Sequence, residues 1–194
     1  RQLGVAALSI DSNAVAADAA GNSYLVGFTN AALPGNTLTG TYDYFVARYD
    51  ALGNSVWIKQ FGAPSSQTMG HCAAVDGSGN LYVAGETTGT LPGNVTVGIR
   101  DYFVAKHDFS GAQTWVKQSG VAGKDSNGYG CAVDGAGNSY VAGYTTGAFP
   151  DNALSGLEDY FVTRYDSSGT RTWIKQLGVS AKDLDMPKGA AVDF

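Results

Sequence analysis

The chain has 194 residues, 27 of them glycine, with 44% hydrophobic, 11% aromatic and only 15% charged side chains. Burial of that much apolar material offsets chain entropy, which excludes a disordered chain, and the glycine and aromatic content suits many short strands joined by tight turns. A net charge of −5 with no basic stripe argues against nucleic acid as a partner. No apolar run approaches the ~20 residues of a membrane span, and none reads as a signal peptide, so no membrane insertion is expected.

In chain order, Arg1-Gln2-Leu3-Gly4 matches Lys175-Gln176-Leu177-Gly178 and reads as the end of a unit already under way. Because the first residue is Arg1 and not Met, the chain is expected to be a processed product or part of something longer. Gly21-Asn22-Ser23-Tyr24 then opens a passage that returns at Gly79-Asn80-Leu81-Tyr82 and at Gly137-Asn138-Ser139-Tyr140, at a period of 58 residues. The same offset relates Pro34, Pro92 and Pro150; Asp43, Asp101 and Asp159; Trp57, Trp115 and Trp173; and Gln60, Gln118 and Gln176. A period held without slippage means one structural unit copied.

Each copy predicts four strands. The first covers 12–18, 70–76 and 128–134, and is followed by an Asp-x-x-Gly-Asn turn at 18–22, 76–80 and 134–138. In that turn the Asp side chain can close an Asx-turn and the Gly can supply the left-handed residue of a bulged hairpin. The second strand covers 24–29, 82–87 and 140–145, with packable residues on both faces. A longer connection carries Leu33-Pro34, Leu91-Pro92 and Phe149-Pro150, whose apolar residue is expected to tuck under the loop. The third strand covers 44–49, 102–107 and 160–165, and a second Asp-x-x-Gly turn leads to a fourth strand ending Trp-x-Lys-Gln. No helical periodicity of useful length appears. Residues 188–194 match a first strand again, after one inserted residue.

Four antiparallel strands per 58 residues, each sheet able to bury both faces against its neighbours, describe an all-β propeller blade; a solenoid is the weaker alternative, since its repeats are shorter and rarely hold a full meander. The expected organisation is one repeat array over 1–194, with blades at 12–60, 70–118 and 128–176 and part-blades at 1–4 and 188–194. The pattern Ala-Val-Asp-x-x-Gly-Asn-x-Tyr-Val-x-Gly-x-Thr, then Asp-Tyr-Phe-Val-x-Lys/Arg-x-Asp-x-x-Gly and Trp-x-Lys-Gln, resembles the bacterial SBBP-type β-propeller repeat family. The resemblance implies a propeller in secreted or surface-anchored bacterial proteins, often within large chains, and implies no common catalytic activity or ligand. Three blades are fewer than the four to eight with which propellers close. Two bare blade faces of about 400 Å² each and an unpaired strand edge would then need cover. Further blades of a longer parent chain, or other copies meeting head to tail in a ring or filament, are the expected partners.

Several residues invite a functional reading. The Asp and Asn of the turns could supply calcium oxygens, but each turn offers one carboxylate where calcium wants six to eight ligands, so turn chemistry is the expectation and no metal is assigned. Asp43, Asp101 and Asp159 recur in every copy and are expected to accept hydrogen bonds from neighbouring backbone amides. Catalysis would need residues that break the repeat. His71 and His107 are the only histidines, neither recurs, and His107 replaces Tyr49 and Tyr165 as a packing residue. With no Ser/His/Asp set, paired His ligands or phosphate-cradling loop, no catalytic residue, cofactor or enzyme activity is assigned. Trp57, Trp115 and Trp173 are expected to cover a blade edge with the indole N–H reaching water, the alternative being a platform for a sugar ring. Asn94-Val95-Thr96 is a glycosylation sequon expected to be silent.

Cys72 and Cys131 both lie in first strands and miss the repeat register by one residue, so their thiols point either at each other or apart. An even, sparse cysteine count in a presumed secreted protein favours a disulfide between the second and third blades. The expected function is a non-enzymatic extracellular or cell-surface scaffold for protein binding or assembly. The alternative is a carbohydrate-binding, lectin-like propeller with one shallow site per blade. The loops 30–43, 88–101 and 146–159 differ most in their middles, which favours the scaffold over equivalent sugar sites.

Overall fold

A computed structural model describes residues 8–180; the part-blades expected at 1–4 and 188–194 lie outside the described residues. Three four-stranded antiparallel sheets follow one another. The first is β1 (Ile10–Ala17), β2 (Ser23–Thr29), β3 (Asp43–Tyr49) and β4 (Ser55–Phe61). The second is β5 (Thr68–Val75), β6 (Leu81–Thr87), β7 (Asp101–His107) and β8 (Gln113–Ser119), and the third is β9 (Ser126–Val133), β10 (Ser139–Thr145), β11 (Asp159–Tyr165) and β12 (Arg171–Leu177). These are propeller blades: each sheet is a meander in chain order, and the first strands β1, β5 and β9 contact one another in sequence at the inner side.

Two clusters form the core, one in each gap between blades. Tyr24, Val26, Tyr44 and Val46 of the first blade meet Leu81, Val83, Phe103 and Ala105 of the second. Ala84, Tyr102 and Val104 on the opposite face of the second blade meet Val141, Phe161 and Tyr165 of the third. Alternate residues of β6 and β7 therefore face different neighbours, which explains why neither strand shows a polar face.

The repeated residues build the blade. Asp18 Oδ1 accepts from the amides of Ala20 and Asn22, Oδ2 accepts from the Asn22 side chain at 2.7 Å, and Gly21 takes the left-handed conformation (φ 83°). Asp76 and Asp134 repeat these bonds. Leu33, Leu91 and Phe149 are buried under their loops. Asp101 is fully buried and accepts from the Val97 and Gly98 amides (2.8 and 2.7 Å) and from Gln118 Nε2 (2.8 Å), while Gln118 Oε1 accepts from the Leu91 amide. Asp43 with Gln60 and Asp159 with Gln176 do the same in the other blades, pinning each long loop to its outer strand. Asn94 of the sequon spends its amide on the Pro92 and Val116 carbonyls.

Two of the three tryptophans depart from expectation. Trp57 Nε1 donates to the Phe109 carbonyl (3.2 Å) and Trp115 Nε1 to the Ser167 carbonyl (3.3 Å), so the indole seats the β3–β4-type turn of the next blade instead of turning its N–H to water. The Cys72 and Cys131 sulfurs meet as a disulfide between β5 and β9, with Cα atoms 5.8 Å apart. The one-residue offset has a structural consequence: Cys72 stands opposite Ala84 and Cys131 opposite Val141, on the two facing surfaces of one gap.

Candidate functional site

Every innermost strand carries a β-bulge at the same place. The ladder between β1 and β2 skips between Ser12 and Ala14, leaving Asn13 unpaired; that between β5 and β6 skips between Gly70 and Cys72, leaving His71; that between β9 and β10 leaves Tyr129. The bulge folds a first-strand carbonyl against its neighbour, which only glycine admits: a Cβ on Gly85 would lie 1.9 Å from the Met69 carbonyl oxygen, and Gly27 and Gly143 are equally close to Asp11 and Asn127. An invariant device thus presents a variable side chain. Asn13, His71 and Tyr129 occupy one repeat position and touch in series across the blades.

Asn13 Nδ2 donates to the Gly70 carbonyl (2.9 Å) and lies 3.1 Å from His71 Nδ1. The His71 ring stacks on Tyr129 (centroids 4.8 Å apart), Tyr129 stacks on Tyr144 (5.9 Å), and Phe28 meets both His71 and Tyr42 edge to face. Two further repeat positions complete the cluster: Phe28, Glu86 and Tyr144 near the ends of the second strands, and Tyr42, Arg100 and Glu158 just before the third. Strand direction puts all three positions at the end of the blades that carries the long loops, beside the innermost strands. We call this place the axial mouth.

Glu86 stands where the sister blades have aromatic rings, and it is only 7% exposed. Its Oε1 pairs with Arg100 Nη1 at 3.3 Å, and its Oε2 lies 3.8 Å from His71 Nε2. Neither Glu86 Oε2 nor His71 Nε2 finds a hydrogen-bond partner among the described residues, and the same holds for Asp125 Oδ1 and for both amide atoms of Asn127. Asn127 is fully buried and faces Tyr144 across the β9–β10 ladder. Burial, followed by Glu158, Glu86 and Asp125, raises the Tyr144 pKa; burial, followed by Glu86, raises that of Tyr129. The mouth therefore sets the carboxylates of Glu86, Asp125 and Glu158 against Arg100, and it holds buried oxygens and nitrogens short of partners among the described residues.

The other sequence candidates lie elsewhere. His107 is fully buried, its Nε2 3.2 Å from the Tyr44 hydroxyl and its ring 4.7 Å from Phe61. It occupies the place of Tyr165, whose hydroxyl meets that of Tyr102 at 2.9 Å. Burial lowers the His107 pKa to about 4. Among the described residues no three His, Cys, Asp or Glu side chains form a metal-binding group. Glu86, Arg100, Asp125, Asn127 and Tyr129 were not singled out by the sequence reasoning. The signal was nonetheless available, because Gly85-Glu86-Thr87 interrupts two invariant residues that bracket Phe28 and Tyr144 in the sister copies.

Two segments of the chain, residues 56–92 and 114–150, match the SBBP beta-propeller repeat family. Each begins in the outermost strand of one blade and ends in the long loop of the next, so the family's unit spans the joint between blades, including the inner strand and its bulge. No curated protein matches the chain.

Proposed function

We propose that this chain, which carries SBBP beta-propeller repeats, is a non-enzymatic extracellular or cell-surface scaffold that engages a protein partner through its long-loop face. One observation carries this reading: the residues that repeat are spent on building blades, whereas, beside the departures at Leu52, Phe109 and His107, a set of departures from the repeat gathers on that one face. They fill the axial mouth, and they continue outward in the loops, where Val95, Val97 and Ile99 are exposed at positions occupied by Thr37, Thr39 and Thr41 in the first copy, with Leu154 and Leu157 exposed in the third. Exposed apolar side chains rimmed by polar ones are the composition of a protein-binding surface.

The cysteine pairing supports an oxidising compartment. The lectin reading with one site per blade is less favoured, because the Trp57 and Trp115 indoles donate to the following blade and Trp173 alone of the three is exposed. The test is a photo-crosslinking side chain placed at Ile99 on the long-loop face or at Leu52 on the opposite, short-turn face, in the cells that make the protein. A discrete protein adduct from position 99 and none from 52 is expected. Adducts from 52 alone, or recognition of one sugar class at three equivalent sites on a glycan array, would overturn the reading.

A further inference from the structure

We propose that the axial mouth between the second and third blades receives a basic side chain, an arginine above all, presented by the partner protein. The inference rests on the protein-binding reading above and adds the chemistry of recognition. It starts from unmet hydrogen bonds. Buried polar atoms are nearly always paired, and a buried acceptor left unpaired carries its full desolvation cost. Here three buried oxygens lack donors among the described residues, Glu86 Oε2, Asp125 Oδ1 and Asn127 Oδ1, and two nitrogens of the same cluster, Asn127 Nδ2 and His71 Nε2, also lack partners. Asn127 faces Tyr144 across the ladder, Asp125 forms an isolated parallel bridge with Arg100, and Arg100 in turn pairs with Glu86.

Charge points the same way. After burial, the charges of Glu158, Glu86 and Asp125 raise the Tyr144 pKa and that of Arg100 lowers it. Arg100 meets Glu86 through Oε1 and leaves Oε2 without a hydrogen bond, 3.8 Å from His71 Nε2. Its side chain is 41% exposed, so the pair is reached from solvent on the Arg100 side. The required ligand group brings several N–H donors and positive charge and is flat enough to lie along the His71–Tyr129–Tyr144 ladder, whose rings are 28° and 11° from parallel. A guanidinium has five donors in one plane and stacks on aromatic rings. A protein-borne arginine is favoured over a free amine because Val97, Ile99 and Leu157 stand exposed on the same face, where residues flanking the arginine would lie.

The experiment is calorimetric titration of the 194-residue protein with the blocked peptide acetyl-Leu-Arg-Leu-amide, with agmatine, with acetyl-Leu-Glu-Leu-amide and with methyl α-glucoside. The arginine peptide is expected to bind several-fold more tightly than agmatine, with no binding of the acidic peptide or the glucoside. Glu86→Gln should weaken it at least tenfold. Glu86→Tyr, which installs the side chain the third blade carries at 144, should abolish binding while the melting temperature reports an intact fold. No binding by the folded wild type, equal binding by both variants, agmatine binding as tightly as the peptide, or preference for the glucoside would each overturn the proposal. Crosslinking at position 99 without arginine-peptide binding would sink this inference and leave the protein-binding reading standing.

Discussion

His107→Tyr should make the protein less sensitive to mild acid. His107 is fully buried against Tyr44 and Phe61, and burial lowers its pKa to about 4, with the Gly111 backbone and Asp108 opposing. In the unfolded chain the imidazole titrates near its ordinary value of about 6.5. The folded pKa is the lower one, so the unfolded chain takes up the proton first. The group costs nothing above pH 6.5, and stability falls as the pH drops from about 6.5 toward 4. At pH 5 the difference amounts to about 2 kcal/mol, or roughly 4–8 °C in melting temperature for a chain of this size. Tyrosine is compatible with the site, because the Tyr102–Tyr165 hydroxyl pair makes the equivalent contact one blade on. Urea unfolding of both proteins at pH 7 and pH 5 measures the effect. The wild type should lose about 2 kcal/mol more than the variant between the two values. Equal losses would show that His107 is not held neutral and that the gap between the first two blades is not sealed.

Asp101→Ala should cost roughly 2–4 kcal/mol, because it strips the acceptor from two loop amides and from Gln118 Nε2 in a fully buried setting; chemical denaturation gives the value, and Asp43→Ala should match it. Titration of the unfolded, unreduced protein with a thiol reagent should find no free thiol, and reduction should lower stability by up to about 4 kcal/mol for a loop closed over a sequence separation of 59; two reactive thiols would refute the pairing. The turn carboxylates give a second acid transition. Asp50 is lowered by the Asn54 side chain, Asp108 by Ser110 and Asp166 by Ser168, so their contribution is present above the ordinary carboxylate value and is lost as the pH falls below about 4. Melting temperatures followed from pH 5 to pH 2 should drop, and Asp50→Asn with Asp166→Asn should flatten the drop.

The blades were legible in the sequence because a copied unit states its own register. Asp18-x-x-Gly21-Asn22 and the Asp43–Gln60 pair recur at one offset, and local chemistry then dictates the turn and the pinned loop. The seat of Trp57 was not legible. Its partner is a backbone carbonyl at Phe109 in the next copy, and no residue pattern announces which carbonyl a neighbouring blade presents. The mouth was hidden for a related reason. Asn13, His71 and Tyr129 touch only because bulges in three separate strands aim them along one inner edge, and a bulge inserts a residue without marking the sequence apart from the glycine opposite. Glu86 reads in sequence as an ordinary surface charge in a strand, and its burial comes from the packing around it.

The central claim is that repeated residues build the blades while the departures from the repeat do the recognising. It is tested most directly by a variant that gives the second blade the third blade's residues at the mouth: His71→Tyr, Glu86→Tyr and Arg100→Glu together. The measurement is the yield of partner adduct from a photo-crosslinker at position 99, in protein whose melting temperature has been checked. The account predicts a fold that melts within a few degrees of the wild type and an adduct yield reduced at least tenfold. An undiminished yield from the folded variant would contradict it.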